Sequence, residues 1–487
     1  MSSSAKICIP CNGFKALEFG HNPAQTARRC WWHAECIETC VVSCDALRRP
    51  AGRMAHEYDG PPILSSMEAD VLSRITEERW LELTTELIRT GQPRSGNPLD
   101  PDLPPAEEEA ISMLVAGKLE AIGMEVTKHS AQPHRPNVLG VLKGRDGAPS
   151  LIINDHLDTY PVVEPEKWHM TDFDPFKATR HGDLLYARGT SDTRGNLAAS
   201  LLAVQALVEA GVVLDGTLMC CYTVDEERNG TEGSIYMLQQ VGLTADYEIT
   251  AEPTAWGDVA DDWGMNLSVA NSGHCLIEVT VKGIKSHIWR PDISINAITE
   301  ASRLLPQLKA MAFTHVPAGF MGHTPPCCSV VRIRGGLAGE MQFSPDACTI
   351  TLAVVGIVPG MTLASVIADI EQAARDTFAG HNEIGVDVRQ VPGSLFVNAT
   401  EPVPIEEEPC KSLRAVYRQL MGREPGVNRK NAFNDTIRFR EAGINAVTFG
   451  PGEDGWAVDN ENISITKAVM ATKIYALTIM KVLGLRM

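Results

Sequence analysis

The chain has no excess of basic residues: 43 Lys and Arg stand against 61 Asp and Glu, a formal net charge of −18. Affinity for a phosphate backbone depends on clustered cations, so this balance argues against nucleic-acid binding. No apolar run approaches the roughly 18 residues that cross a bilayer, so no membrane association is expected. The N-terminus lacks an apolar signal core followed by small residues, and a cytoplasmic location is expected. Histidine is missing from the whole C-terminal stretch, where His381 is the last. That absence limits which late side chains can bind a metal.

What is present is globular in character. Apolar residues make up 44% and charged residues 21% of 487 positions, enough for two or more domains. Thirteen cysteines would imply disulfides in a short secreted chain, which this is not. Six fall in the first 44 residues, and Cys8, Cys11 and His33 are spaced as in a small zinc knuckle. Residues 1–60 show no sustained period, however, and Met54 and Met67 both precede the first regular helix. Residues 1–66 are therefore read as an extension, disordered or not native, and carry no assigned chemistry.

From Glu68 the pattern becomes regular. A helix is expected over 68–91 and another over Glu107–Ile122. Short apolar strands then alternate with helices. Strands are expected at Asn137–Leu142, Leu151–Asn154, Thr217–Val224 and Tyr247–Thr250, with helices at Gly195–Ala210 and Glu232–Val241. This alternation predicts an α/β fold with a mostly parallel, doubly wound sheet. Between about 271 and 391 the character changes to roughly four strands (Cys275–Lys282, Cys327–Arg334, Ala347–Val355, Gly385–Gln390) and two helices (Asn296–Met311, Ser365–Phe378). An inserted α+β lobe is expected there, with 67–270 and 392–487 forming the two parts of the main domain.

Ligands in open α/β sheets collect beyond the carboxyl ends of the strands. His156 and Asp158 follow one apolar strand, and Glu226 and Glu227 follow the next. Glu252 follows a third, and Asp192 precedes a helix. Taken singly, an Asp there is an N-cap, paired Glu a solvated loop and a lone His a structural residue. Their coincidence at buried strand ends argues otherwise, since unpaired buried charge costs several kcal/mol and a divalent cation removes that cost. His, Asp and Glu without cysteine suit zinc, manganese or cobalt.

These residues sit in motifs that together resemble the zinc aminoacylases and their relatives. That group includes acetylornithine deacetylase, succinyl-diaminopimelate desuccinylase and the glutamate-releasing carboxypeptidases. The motifs are His156–Pro161, Trp168 with Asp174–Phe176, Tyr186–Gly189 with Asp192 and Gly195, Asp225–Glu227, and Ala251–Pro253. The resemblance implies a metal-dependent hydrolase of a C–N bond in a small organic substrate. It implies that Asp192 bridges two metals, that His156 and Glu252 complete one site, and that Glu227 belongs to the other. Asp158 would orient His156, and Glu226 would be the general base toward water activated by the metal. Gly283–His287 resembles the family's lid motif, in which His287 would stabilise the oxyanion, and implies a homodimer or higher homo-oligomer through the inserted lid/dimerisation domain.

Two departures stand out. The family's last ligand is a histidine after a Gly-Pro-Gly turn. Here Gly450–Gly452 is followed by no histidine, leaving Glu453 or Asp459 as substitutes, or one firmly held ion at His156, Asp192 and Glu252. Gly356 also stands where relatives carry an arginine for the substrate carboxylate, although Arg332 or Arg334 is a possible replacement. The leading reading is hydrolysis of an amide or N-acyl compound. A second is an aminohydrolase releasing ammonia from an electron-poor aromatic amino acid such as a nitroanthranilate, with Trp256, Trp263 or Trp289 holding the ring. A third is an inactive binding homologue, disfavoured by retention of the acidic residues.

Overall fold

The computed structural model describes residues 64–90, 107–254, 265–317, 324–337, 339, 341–452 and 457–485. The early cysteines, Trp256, Trp263 and Glu453 lie outside them.

The helix expected over 68–91 is two helices, Ser66–Ser73 and Glu77–Thr90. Ser65 and Glu68 close a reciprocal capping box at the first. The break between them turns Ile75 into the core.

The main sheet has eight strands, in the order Glu125–Ser130, Pro136–Leu142, Gly216–Thr223, Gly147–His156, Tyr247–Thr250, Asn445–Thr448, Asn266–Asn271 and Gly426–Lys430. Its centre, from Gly216–Thr223 through Asn445–Thr448, is parallel. Period-2 alternation explains why both faces are covered. Leu151 and Ile153 enter the large core, while Ile152 enters a second core with Phe439 and Ala446. Helices Gly195–Glu209 and Ile465–Leu483 lie side by side against the large core. No described helix is long and apolar enough to cross a membrane.

A separate sheet of four antiparallel strands runs Cys327–Gly335, Ala347–Ile357, Gly273–Lys282, Gly385–Gln390. Helices Ala297–Ala310 and Leu363–Thr377 cover it and share its own core. This lobe is inserted between Asn266–Asn271 and Gly426–Lys430, which are parallel neighbours in the main sheet. The fold is thus a mostly parallel α/β sheet with an inserted α+β lobe.

Candidate metal centre

Three adjacent parallel strands end on one edge. His156 closes its strand in register with Thr223, which precedes Glu226 by three residues, and Glu252 lies two beyond Thr250. Asp192 arrives from the turn Thr190–Arg194 ahead of helix Gly195–Glu209.

The His156 Nε2 atom lies 3.0 Å from Asp192 Oδ1 and 3.9 Å from Glu226 Oε2. Its Nδ1 faces Asp158, at 3.4 Å from Oδ1 and 3.1 Å from the carbonyl oxygen. The Asp158 carboxylate in turn accepts the amides of Glu226 at 3.2 Å and Glu227 at 3.1 Å. One side chain therefore fixes both the imidazole and the turn that presents the two glutamates.

His156, Asp192 and Glu227 each offer a ligand atom, all within 4.8 Å of one another; this is the candidate metal-holding group among the described residues. Glu227 Oε1 is shielded from solvent and has no hydrogen-bond partner. An orphaned carboxylate oxygen beside an imidazole and a second carboxylate fits a divalent cation. Glu252, expected with His156 and Asp192, stands outside that group. Its Oε2 accepts Lys430 Nζ at 2.6 Å, while Oε1 is shielded and without a partner.

The electrostatics agree. Burial, then the Glu252 and Glu227 carboxylates, push the Glu226 carboxyl well above its usual range, against the His156 charge. Burial and Asp192 do the same to Glu227. Burial would depress His156, but Glu226 and the bonds to Asp158 and Asp192 raise it well above its ordinary value. Burial likewise opposes ionisation of Asp158, but its bond to His156 prevails and holds it low. A site of carboxylates resisting ionisation has room for positive charge.

Two supporting groups went unread in the sequence. Glu461, with no solvent exposure, accepts the amides of Ser191 and Asp192 at 2.8 Å and of Gly189 at 2.9 Å, and pairs with Arg188 at 2.8 Å. Arg135 clamps Glu108 through two bonds of 2.8 and 2.9 Å and reaches Asp225 at 3.3 Å, also meeting Glu232. The signal for Glu461 was its position just past the Gly-Pro-Gly turn, where a ligand was sought rather than a support.

Other expected residues lie apart. The His287 ring packs on Phe343 and accepts the Trp289 amide at 3.3 Å; among the described residues neither partner is a metal-group member. Trp289 is 82% exposed. Asp459 is exposed, Arg332 half-buried and Arg334 exposed on the lobe's edge strand. A Cβ on Gly356 would lie 2.8 Å from the carbonyl oxygens of Thr324 and Pro325.

Residues 152–481 match the profile of peptidase family M20/M25/M40. The chain belongs to that family. It is 28% identical over 392 residues to the N-formyl-4-amino-5-aminomethyl-2-methylpyrimidine deformylase of Bacillus subtilis (strain 168), covering 76% of this chain and 89% of that protein. It is 26% identical over 344 residues to the succinyl-diaminopimelate desuccinylase of Nitrosomonas eutropha (strain DSM 101675 / C91 / Nm57), covering 70% and 85%. The fold is also that of the di-peptidase Dug1p from Saccharomyces cerevisiae, with a TM-score of 0.66 at 14% identity over 85% of this chain and 98% of that one. As a member of the M20 family, the chain is a metal-dependent hydrolase acting on amide-like carbon–nitrogen bonds.

Proposed function

We propose that this hydrolase cleaves a small amide or N-acyl compound with Glu226 as general base and His156, Asp192 and Glu227 holding one divalent ion, whether zinc, manganese or cobalt. The observation that carries this is the placement of the buried Glu226 carboxylate 3.9 Å from His156 Nε2, beside the three-residue group. A bound divalent cation supplies Lewis-acid activation of water and of the scissile carbonyl. Glu226 takes the proton from the attacking water and returns it to the departing nitrogen. Asp158 holds the imidazole of His156 in one tautomer.

The substrate class is narrowed by Gly356. Backbone carbonyls fill the space that a side chain there would need, so no arginine grips a substrate carboxylate from that position. An acyl compound without an α-carboxylate fits this better than an N-acyl amino acid. The names of two relatives, a deformylase of an aminomethylpyrimidine and a desuccinylase, span both kinds of substrate. The reading includes a homodimer formed through the lobe, with His287 contributing to oxyanion stabilisation. Exposed Val330, Val331 and Ile333 on the edge strand Cys327–Gly335 support such a contact.

The test is Glu226→Gln. Turnover of a formyl- or acyl-amine substrate is expected to fall by at least about a hundredfold, with metal content unchanged. Loss of the metal together with the activity would remove Glu226 from the role of base.

A further inference from the structure

We infer that Lys430 is the centre's built-in second cation: its ammonium takes up Glu252 and holds the site to one divalent ion. This rests on the metal-hydrolase reading above and names the residue that sets its stoichiometry.

Lys430 closes the strand Gly426–Lys430, in register with Asn271. It is 5% exposed, and its ammonium donates to Glu252 Oε2 at 2.6 Å and to the Pro253 carbonyl at 3.1 Å. A buried lysine requires an anion close by, and Glu252 is that anion. The ammonium holds Oε2 and leaves Oε1 as the one shielded oxygen of Glu252 without a partner.

Electrostatics points the same way. A second divalent ion at Glu252 would meet that ammonium in a shielded site, where repulsion between cations is weakly screened. Its ligands are also depleted. No histidine follows His381, and the segment after the Gly450–Gly452 turn places Val458 and Asp459 in solvent.

The experiment loads the full chain with zinc, removes the excess, and counts zinc per chain by mass spectrometry. A cobalt titration followed by its visible absorption gives the affinity of each equivalent. The wild type is expected to hold one ion. Lys430→Met should gain a second, bound at least about tenfold more tightly than any second ion of the wild type. Lys430→Arg, which keeps the charge, should remain at one. Glu252→Gln should leave the first ion's affinity nearly unchanged.

Two ions in the active wild type, or one ion still in a folded Lys430→Met, would overturn the inference and leave the hydrolase reading standing. Should Lys430→Met fail to fold by circular dichroism, Glu252→Gln decides. A retained first ion supports the inference, and a loss of about tenfold or more in its affinity overturns it by making Glu252 a ligand. A wild type that binds no ion at all removes the hydrolase reading itself.

Discussion

Glu461 receives the amide proton of Asp192 at 2.8 Å through the same carboxylate oxygen that accepts from Ser191. Its other oxygen takes the amide of Gly189 and the guanidinium of Arg188. The turn that presents Asp192 to His156 is therefore shaped by a carboxylate far away in the chain, which touches no candidate metal ligand through its own side chain except by that backbone.

This relationship predicts that Glu461→Gln lowers zinc affinity by about 10- to 100-fold, although Glu461 is not a ligand. The amide keeps the volume but replaces one acceptor oxygen with a donor facing backbone N–H groups. It also leaves Arg188, 4% exposed, without its anion. Unfolding of the metal-free variant in urea should show a loss of about 3–5 kcal/mol. Zinc titration giving the wild-type affinity would show that the turn holds its shape unaided.

A second prediction concerns pH. Asp435 is fully buried beneath the site, accepting the hydroxyls of Thr223 at 2.6 Å and of Ser234. Burial outweighs those hydroxyls and raises its carboxyl from 3.8 to about 6. The folded state then binds the proton more tightly than the unfolded state does. Stability from this group is full below pH 3.8 and is lost as pH rises toward 6. Two pKa units correspond to about 3 kcal/mol. Asp435→Asn cannot ionise, so its stability relative to the wild type should rise by about that amount between pH 4 and pH 6.5. Urea unfolding of both metal-free proteins across that range measures it, and parallel stability curves would contradict it.

The strand ends were legible because apolar runs followed by acids are a local pattern. Tyr247–Thr250 and Gly385–Gln390 have their expected bounds, and Gly147–His156 extends the expected Leu151–Asn154. Glu125–Ser130 was not legible, because an exposed edge strand carries polar residues on both faces. Helix Glu232–Val241 became a short helix and a wider turn, Ser234–Tyr236 and Met237–Val241. The pairing of Glu252 with Lys430 could not be read from spacing, because the two lie 178 residues apart in sequence and meet only through the sheet order.

The last prediction concerns Gly356. It adopts φ +71° where the register of Ala347–Ile357 slips against Gly273–Lys282, a bulge that favours glycine. Any side chain meets the carbonyl oxygens of Thr324 and Pro325 at 2.8 Å. Gly356→Ala should therefore cost about 1–3 kcal/mol in urea unfolding, from backbone strain and the close approach together. Gly356→Arg should cost at least as much, and should not raise kcat/KM for N-acyl amino acids over the matching decarboxylated amides. The guanidinium would have to leave a backbone path that the Thr324 and Pro325 carbonyls already close. A stable Gly356→Arg protein that gained selectivity for carboxylate-bearing substrates would show instead that this wall yields, and that the glycine is a choice of substrate rather than a demand of the bulge.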